Sequence, residues 1–321
     1  MASSGWQESD VPDQHGRTVV VTGANSGLGL RTAVVLAGKG ARVLLACRSP
    51  ERGGDALAEV TRAATGPAPE LVELDLASLD SVKSAAARIR ELTGDALHLL
   101  VNNAGVMATP KGRTTDGFET QFGTNHVGHA ALTWLLLPAL RGGGTPEAPA
   151  RVVTVSSIAA TRGTIDADDP NFEHRRYDPA SAYGQAKLAN QVFALELDAR
   201  LRATGDPVIS VAAHPGYTAT NLTSNMAGSY RNPLIAGALR AGSAIGDRFV
   251  AQDVRNGTLP QLYAATAPDV AGGDYLGPDG FRQMKGSPTR VKPLRPARDA
   301  TTRERLWSLT QRLTGIVPDL G

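Results

Sequence analysis

Tyr183 and Lys187 stand four residues apart in a stretch, 181–201, with helical patterning, so their side chains fall on one face of a helix. A phenol ordinarily ionises at about pH 10. A neighbouring ammonium favours the phenolate, and that would bring Tyr183 into the range of a general acid or base. Such a pair is common on surface helices and carries little weight alone. Two serines, Ser156 and Ser157, end a β-branched run at 151–155. If that run is a parallel strand, they sit at the sheet edge where ligands bind.

Residues 22–29 supply the second feature. Thr22, Gly23, Ala24, Asn25, Ser26, Gly27, Leu28 and Gly29 follow the run 18–22 and open a helical stretch at 28–37. Gly23 allows a tight turn, Gly27 allows backbone to approach a pyrophosphate, and Gly29 allows close helix–strand packing. The helix N-terminus adds N–H donors and a positive dipole end. The context of strand, glycine turn and helix, rather than the glycines alone, reads as a dinucleotide site.

The residue after the second strand discriminates between the two nicotinamide dinucleotides, because an acid there binds the ribose 2′-hydroxyl of NAD. Arg48 holds that place, followed by Ser49. A guanidinium can pair with a 2′-phosphate, so NADP(H) is expected in preference to NAD(H). Asp75 and Leu76 follow the third strand, where the adenine ring belongs; Asp75 either bonds the adenine amino group or caps the next helix. Asn103, Ala104 and Gly105 follow the fourth, and the two small residues leave room for a ribose on the backbone. A bound nicotinamide would add a positive charge beside Tyr183 and ribose hydroxyls for Lys187.

The elements that must position these residues alternate. Strands are expected at 18–22, 42–46, 70–74, 97–101, 151–155 and 208–212, with a seventh near 274–276. Helices are expected at 28–37, 51–64, 78–92 with Ser78 as N-cap, 118–140 and 181–201. This predicts an α/β fold: a doubly wound parallel sheet of about seven strands with helices on both faces, in one domain over 1–321. Residues 1–16 are polar and read as a flexible or surface-draped arm. A Gly/Pro loop at 142–150, a polar insertion at 164–179 and an excursion at 216–257 break the rhythm.

Composition excludes several classes. The 33 basic and 31 acidic residues nearly balance, with no basic run, so no nucleic-acid partner is expected. The single cysteine, Cys47, forms neither an internal disulfide nor a metal cluster. His126, His129, His174 and His214 lack a metal-ligand spacing. The N-terminus carries no apolar signal core, and the most apolar stretch, 129–140, is shorter than the roughly 20 residues that span a bilayer. The expectation is a cytoplasmic protein with no membrane contact.

Taken together and in this order, the glycine loop, residues 102–105, Asn125, the serine pair and Tyr183 with Lys187 resemble the short-chain dehydrogenase/reductase family over 17–220. The resemblance implies an oxidoreductase interconverting a carbonyl and an alcohol by hydride transfer. It gives Ser157 the substrate oxygen and Tyr183 the proton. Lys187 would lower the tyrosine pKa and bind the ribose, and Asn125 would anchor a water linking Lys187 to solvent. Pro215, Gly216, Thr218 and Thr220 are similar to the family's segment at the nicotinamide carboxamide.

The long gap from Ser157 to Tyr183, with 46–48 and 214–216, resembles the branch of retinol dehydrogenases, the WW-domain oxidoreductase and protochlorophyllide reductase-like proteins. Homodimers or homotetramers through 118–140 and 181–201 are common in the family, though the insertion and the C-terminal tail are placed to cover one such surface. The apolar residues at 222–239 suggest a substrate lid within 216–257 and a hydrophobic ketone, aldehyde or secondary alcohol. A dinucleotide sensor without turnover, or a lyase or epimerase using the cofactor transiently, are the alternative functions.

Overall fold

A computed structural model describes residues 5–218 and 252–320. Eight strands form one sheet: β1 (Thr18–Thr22), β2 (Arg42–Cys47), β3 (Glu70–Glu73), β4 (Leu99–Asn102), β5 (Ala150–Val155), β6 (Val208–Ala213), β7 (Tyr275–Pro278) and β8 (Pro288–Arg290). Their spatial order is β3-β2-β1-β4-β5-β6-β7-β8, parallel except for the β7–β8 pair. The order turns back between β1 and β4, which opens a crevice at the carboxyl ends of those two strands.

The β-branched runs form strands buried on both faces. Val20, Leu44, Leu100 and Val152 share one face, and there they meet α3 (Leu79–Thr93), α4 (Gly128–Gly143) and α5 (Pro179–Ala203). Val19, Val21, Val43, Leu45, Leu99 and Val101 face the other way, against α1 (Gly27–Gly38), α2 (Pro50–Ala63) and α6 (Val254–Thr266). Ser49 and Ser78 cap α2 and α3, each accepting from a backbone N–H three residues on.

The structure adds detail to four of the expected segments. The sheet has eight strands rather than about seven, because the short, proline-led β8 adds an antiparallel edge. The helix expected over 118–140 begins at Thr120 and passes through a π turn, Gly123–Val127, before α4. Asp253 caps α6, so 254–257, at the end of the excursion, form the first turn of a helix. The insertion 164–179 is polar but anchored: Phe172 is buried, Arg175 lies 3.8 Å over its ring, and Tyr177 donates to the carbonyl of Thr109 at 2.9 Å. Residues 219–251 of the proposed lid, Thr220 among them, lie outside the described residues.

The arm is draped rather than free over 5–16. Trp6 meets Tyr263 edge-on at 5.2 Å, Glu8 pairs with Arg31, and Lys39 donates to the carbonyl of Ser9. At the other end, α7 (Ala300–Thr314) packs on α5: Trp307 stacks on Phe193 and meets Trp134, with the Arg200 guanidinium 4.6 Å over its ring. The tail thus covers part of one surface expected to make homo-oligomers. Among the described residues, no helix is long and apolar enough to cross a membrane.

Candidate active site

The glycine loop bends through Gly23 and Gly27, whose φ angles of 65° and 55° favour glycine. A Cβ on Gly29 would lie 2.4 Å from the carbonyl oxygen of Gly23, so this backbone closes on itself only without a side chain. Ser26, the N-cap of α1, makes no side-chain cap bond. The first-turn donors of α1 are left for an anion, which fits a pyrophosphate. Behind the loop the Cys47 thiol is buried, and burial pushes its pKa up to about 11, with the backbone of Ala24 and Asn25 acting against it.

Arg48 is exposed just past β2 and forms no ion pair with a described residue. Asp75 is half-buried and accepts from the Ala77 N–H at 3.0 Å, while Ser78 caps α3; the cap reading of Asp75 is therefore taken by another residue. Leu76 is buried, and its carbonyl lies against Gly128, where a Cβ would approach to 2.4 Å.

Residues 103–106 form a floor beside the loop. Asn103 donates through Nδ2 to the carbonyl of Thr22 at 2.9 Å. The N–H groups of Asn103 and Ala104 both reach Thr22 Oγ1. Asn125 sits in the π turn, a feature that often marks functional sites. Its side chain clasps Val106, accepting from the N–H at 2.8 Å and donating to the carbonyl at 2.9 Å. A Cβ on Gly105 would stand 3.1 Å from Asn125 Oδ1 and 3.5 Å from Lys187 Nζ. The bare backbone of Gly105 therefore forms a cradle between two polar groups, which fits a ribose.

Strand β5 and helix α5 bring the remaining groups together. Ser157 caps the 3-10 turn Ile158–Arg162, accepts from Ala159, and is the side chain that acts to lower the pKa of the buried Tyr183 phenol. Ser156 turns the other way, donating to the Lys187 carbonyl at 2.7 Å. Of the two serines, Ser157 is the one that faces Tyr183. Lys187 Nζ donates to the carbonyl of Val155 at 3.0 Å and lies 5.9 Å from the centroid of the Tyr183 ring.

Burial pushes the Tyr183 pKa up to about 12, with Ser157 acting against it. Burial also holds Lys187 down, to about 8. In both groups the largest cause is the removal of the charged form from water.

Residues 215–218 are braced by His214 and by two glutamines that sequence reasoning missed, Gln252 and Gln283. His214 Nδ1 accepts from the Gly216 N–H at 3.2 Å, and its Nε2 meets Gln283 Oε1 at 2.9 Å. Tyr217 N–H donates to the Met284 carbonyl, and Gln252 Nε2 donates to that of Pro215. Thr218 spends its hydroxyl proton on the Pro215 carbonyl, so it meets a carboxamide only as an acceptor. His214 precedes Pro215 in the sequence, but Gln252 and Gln283 carry no local signal.

Residues 17–230 match the short chain dehydrogenase family. The chain is 41% identical to a polyprenol dehydrogenase from Mus musculus, covering 95% of this chain and 86% of the relative. It is 38% identical to retinol dehydrogenase 13 from Homo sapiens, covering 94% and 85%. A crystal structure of an uncharacterised protein from Mycobacterium paratuberculosis matches with a TM-score of 0.79 at 39% identity, over 98% of this chain and all of that one. An RhlG/NADP active-site complex from Pseudomonas aeruginosa matches at 0.64 and 25% identity, over 84% and 98%. The chain belongs to the short-chain dehydrogenase/reductase family, in the branch of the retinol dehydrogenases, and is an oxidoreductase acting on alcohol or carbonyl groups.

Proposed function

We propose that this enzyme uses NADP(H) to interconvert a hydrophobic alcohol with its ketone or aldehyde, with Tyr183 as proton donor and acceptor. The observation that carries the reading is the buried Tyr183, with Ser157 acting on its phenol, beside the bare backbone of Gly105 that stands 3.1 Å from Asn125 Oδ1 and 3.5 Å from Lys187 Nζ as measured from the Cβ it lacks. When bound, the nicotinamide supplies or takes the hydride and, oxidised, adds a positive charge. The loop 23–29 holds the pyrophosphate, Arg48 the 2′-phosphate, Gly105 and Lys187 the ribose, and 215–218 the carboxamide.

The chain's own groups then handle one proton. A phenol with its pKa pushed up to about 12 is fully protonated at neutral pH. Tyr183 therefore rests as a donor, and Ser157 fixes the direction of its hydroxyl. A substrate carbonyl oxygen placed between them accepts both hydrogen bonds, which orients it for reduction. Transfer of the proton leaves a phenolate, and the ammonium of Lys187 stabilises it from the next turn of α5. In the opposite direction the phenolate accepts the alcohol proton.

The alcohols named in the relatives, a polyprenol and retinol, support an apolar substrate. The NADP of the structural relative supports the cofactor, as does Arg48, exposed beyond β2 without an ion pair to any described residue. A cytoplasmic setting is in keeping with a single cysteine that is buried and free. A panel of apolar ketones and aldehydes, run with NADPH and NADH in parallel, tests the reading. Reduction with NADPH preferred supports it; no reduction with either cofactor overturns it.

A further inference from the structure

His129 follows Asn125 by four residues, so one turn of helix stacks them on the same side of the chain entering α4. Its ring is buried and has a polar contact at each nitrogen. Nδ1 lies 2.9 Å from the main-chain oxygen of Asn125, and Nε2 lies 2.9 Å from Oγ1 of Thr22. A carbonyl oxygen only accepts, so Nδ1 carries the hydrogen. Burial holds the ring's pKa down to about 4, so the imidazole is neutral near pH 7 and Nε2 is an acceptor.

This tautomer fixes the hydroxyl of Thr22. Its hydrogen goes to His129 in preference to the carbonyl of Val101, which is farther away at 3.3 Å. Its lone pairs then face the N–H groups of Asn103 at 2.9 Å and Ala104 at 3.0 Å. One ring thus ends on the residue that clasps Val106 beside Lys187 and, at its other end, on the threonine beneath the cofactor floor. A histidine satisfied only for packing would need neither end to fall on the site.

We propose that His129 is a positioning residue with two separable arms: Nδ1–H holds the Asn125 main chain, and so the side chain that clasps Val106 beside Gly105, and Nε2 orients the Thr22 hydroxyl that supports Asn103 and Ala104 under the cofactor. The proposal rests on the reading of Tyr183 and NADP(H) given above. His129 touches no reacting atom. Its loss acts through Asn125 on turnover and through Thr22 on cofactor affinity.

Three substitutions separate the arms. Asn at this position carries its amide close to where Nδ1 stands, and Gln carries its amide close to Nε2. In His129→Leu, NADPH binding by the protein alone, followed by fluorescence titration, weakens about tenfold and kcat falls by about tenfold or more, the scale of one buried hydrogen bond per arm. His129→Gln returns the NADPH Kd to within about twofold of wild type but leaves kcat low. His129→Asn returns kcat but leaves the Kd weak. Wild-type Kd and kcat in all three variants, or Asn and Gln variants that lose both quantities in equal proportion, overturns the proposal. If the Leu variant does not fold, the Asn and Gln pair decides. The Kd needs no carbonyl substrate, so that arm is judged apart from the proposed reaction.

Discussion

Lys187 stands one helical turn beyond Tyr183, yet it bonds to the carbonyl of Val155 at 3.0 Å, with Nζ 5.9 Å from the centre of the tyrosine ring. In the free protein the two groups are not a phenolate–ammonium pair. They are a buried phenol and a buried ammonium, the ammonium held at a cost.

That cost is measurable. The Lys187 pKa is lower in the folded chain than in the unfolded one, so protonated Lys187 disfavours folding below about pH 8. The penalty fades as pH rises from about 8 through 10.5. At neutral pH it amounts to roughly 3 kcal/mol at most. Lys187→Met, which leaves Val155 its bond from Asn190, should raise the Tm by several degrees at pH 7 while abolishing turnover. The gain should shrink as pH approaches 10.5. A variant less stable than wild type at pH 7 would show that Lys187 is not held against its charge.

Three buried histidines predict acid lability. Burial lowers His126 to about 3, and His129 and His214 to about 4. Between pH 6.5 and about 4 the unfolded chain binds protons that the folded chain does not, so stability falls as pH drops through that window. Chemical denaturation at pH 7, 6, 5 and 4.5 should show the loss. In His214→Gln, which keeps a donor for Gln283, the slope should be shallower by about one proton. An unchanged slope would contradict the burial of a neutral His214.

Arg48 carries the cofactor argument, because it is exposed past β2 without an ion-pair partner among the described residues. Arg48→Glu should lower kcat/KM for NADPH by about tenfold or more while sparing or improving that for NADH, since a carboxylate repels a 2′-phosphate and accepts from a 2′-hydroxyl. Equal losses with both cofactors would mean that Arg48 does not read the 2′-position.

The legible parts of this chain are local. The run 18–22 followed by Gly23, Gly27 and Gly29 states its own strand, turn and helix, and the β-branched runs of β2, β5 and β6 do the same. What stayed hidden depends on distant partners. Thr22 and His129 are 107 residues apart, and His214 and Gln283 are 69 apart. The insertion looks solvated by composition, but Phe172 and Tyr177 bury against residues 109–121. The π turn at Asn125 follows no simple residue preference. The spacing of Tyr183 and Lys187 placed both groups on one side of α5, but the direction of their pKa shifts is set by burial, which spacing does not reveal.

Tyr183→Phe tests the account most directly, because it removes one oxygen and keeps the ring that packs the site. With an apolar ketone and NADPH, kcat should fall by about a hundredfold or more, the scale of general acid catalysis, while the NADPH Kd and the Tm stay close to wild type. Turnover within a few-fold of wild type, in a folded variant that binds NADPH, would contradict the assignment of Tyr183 as the proton donor.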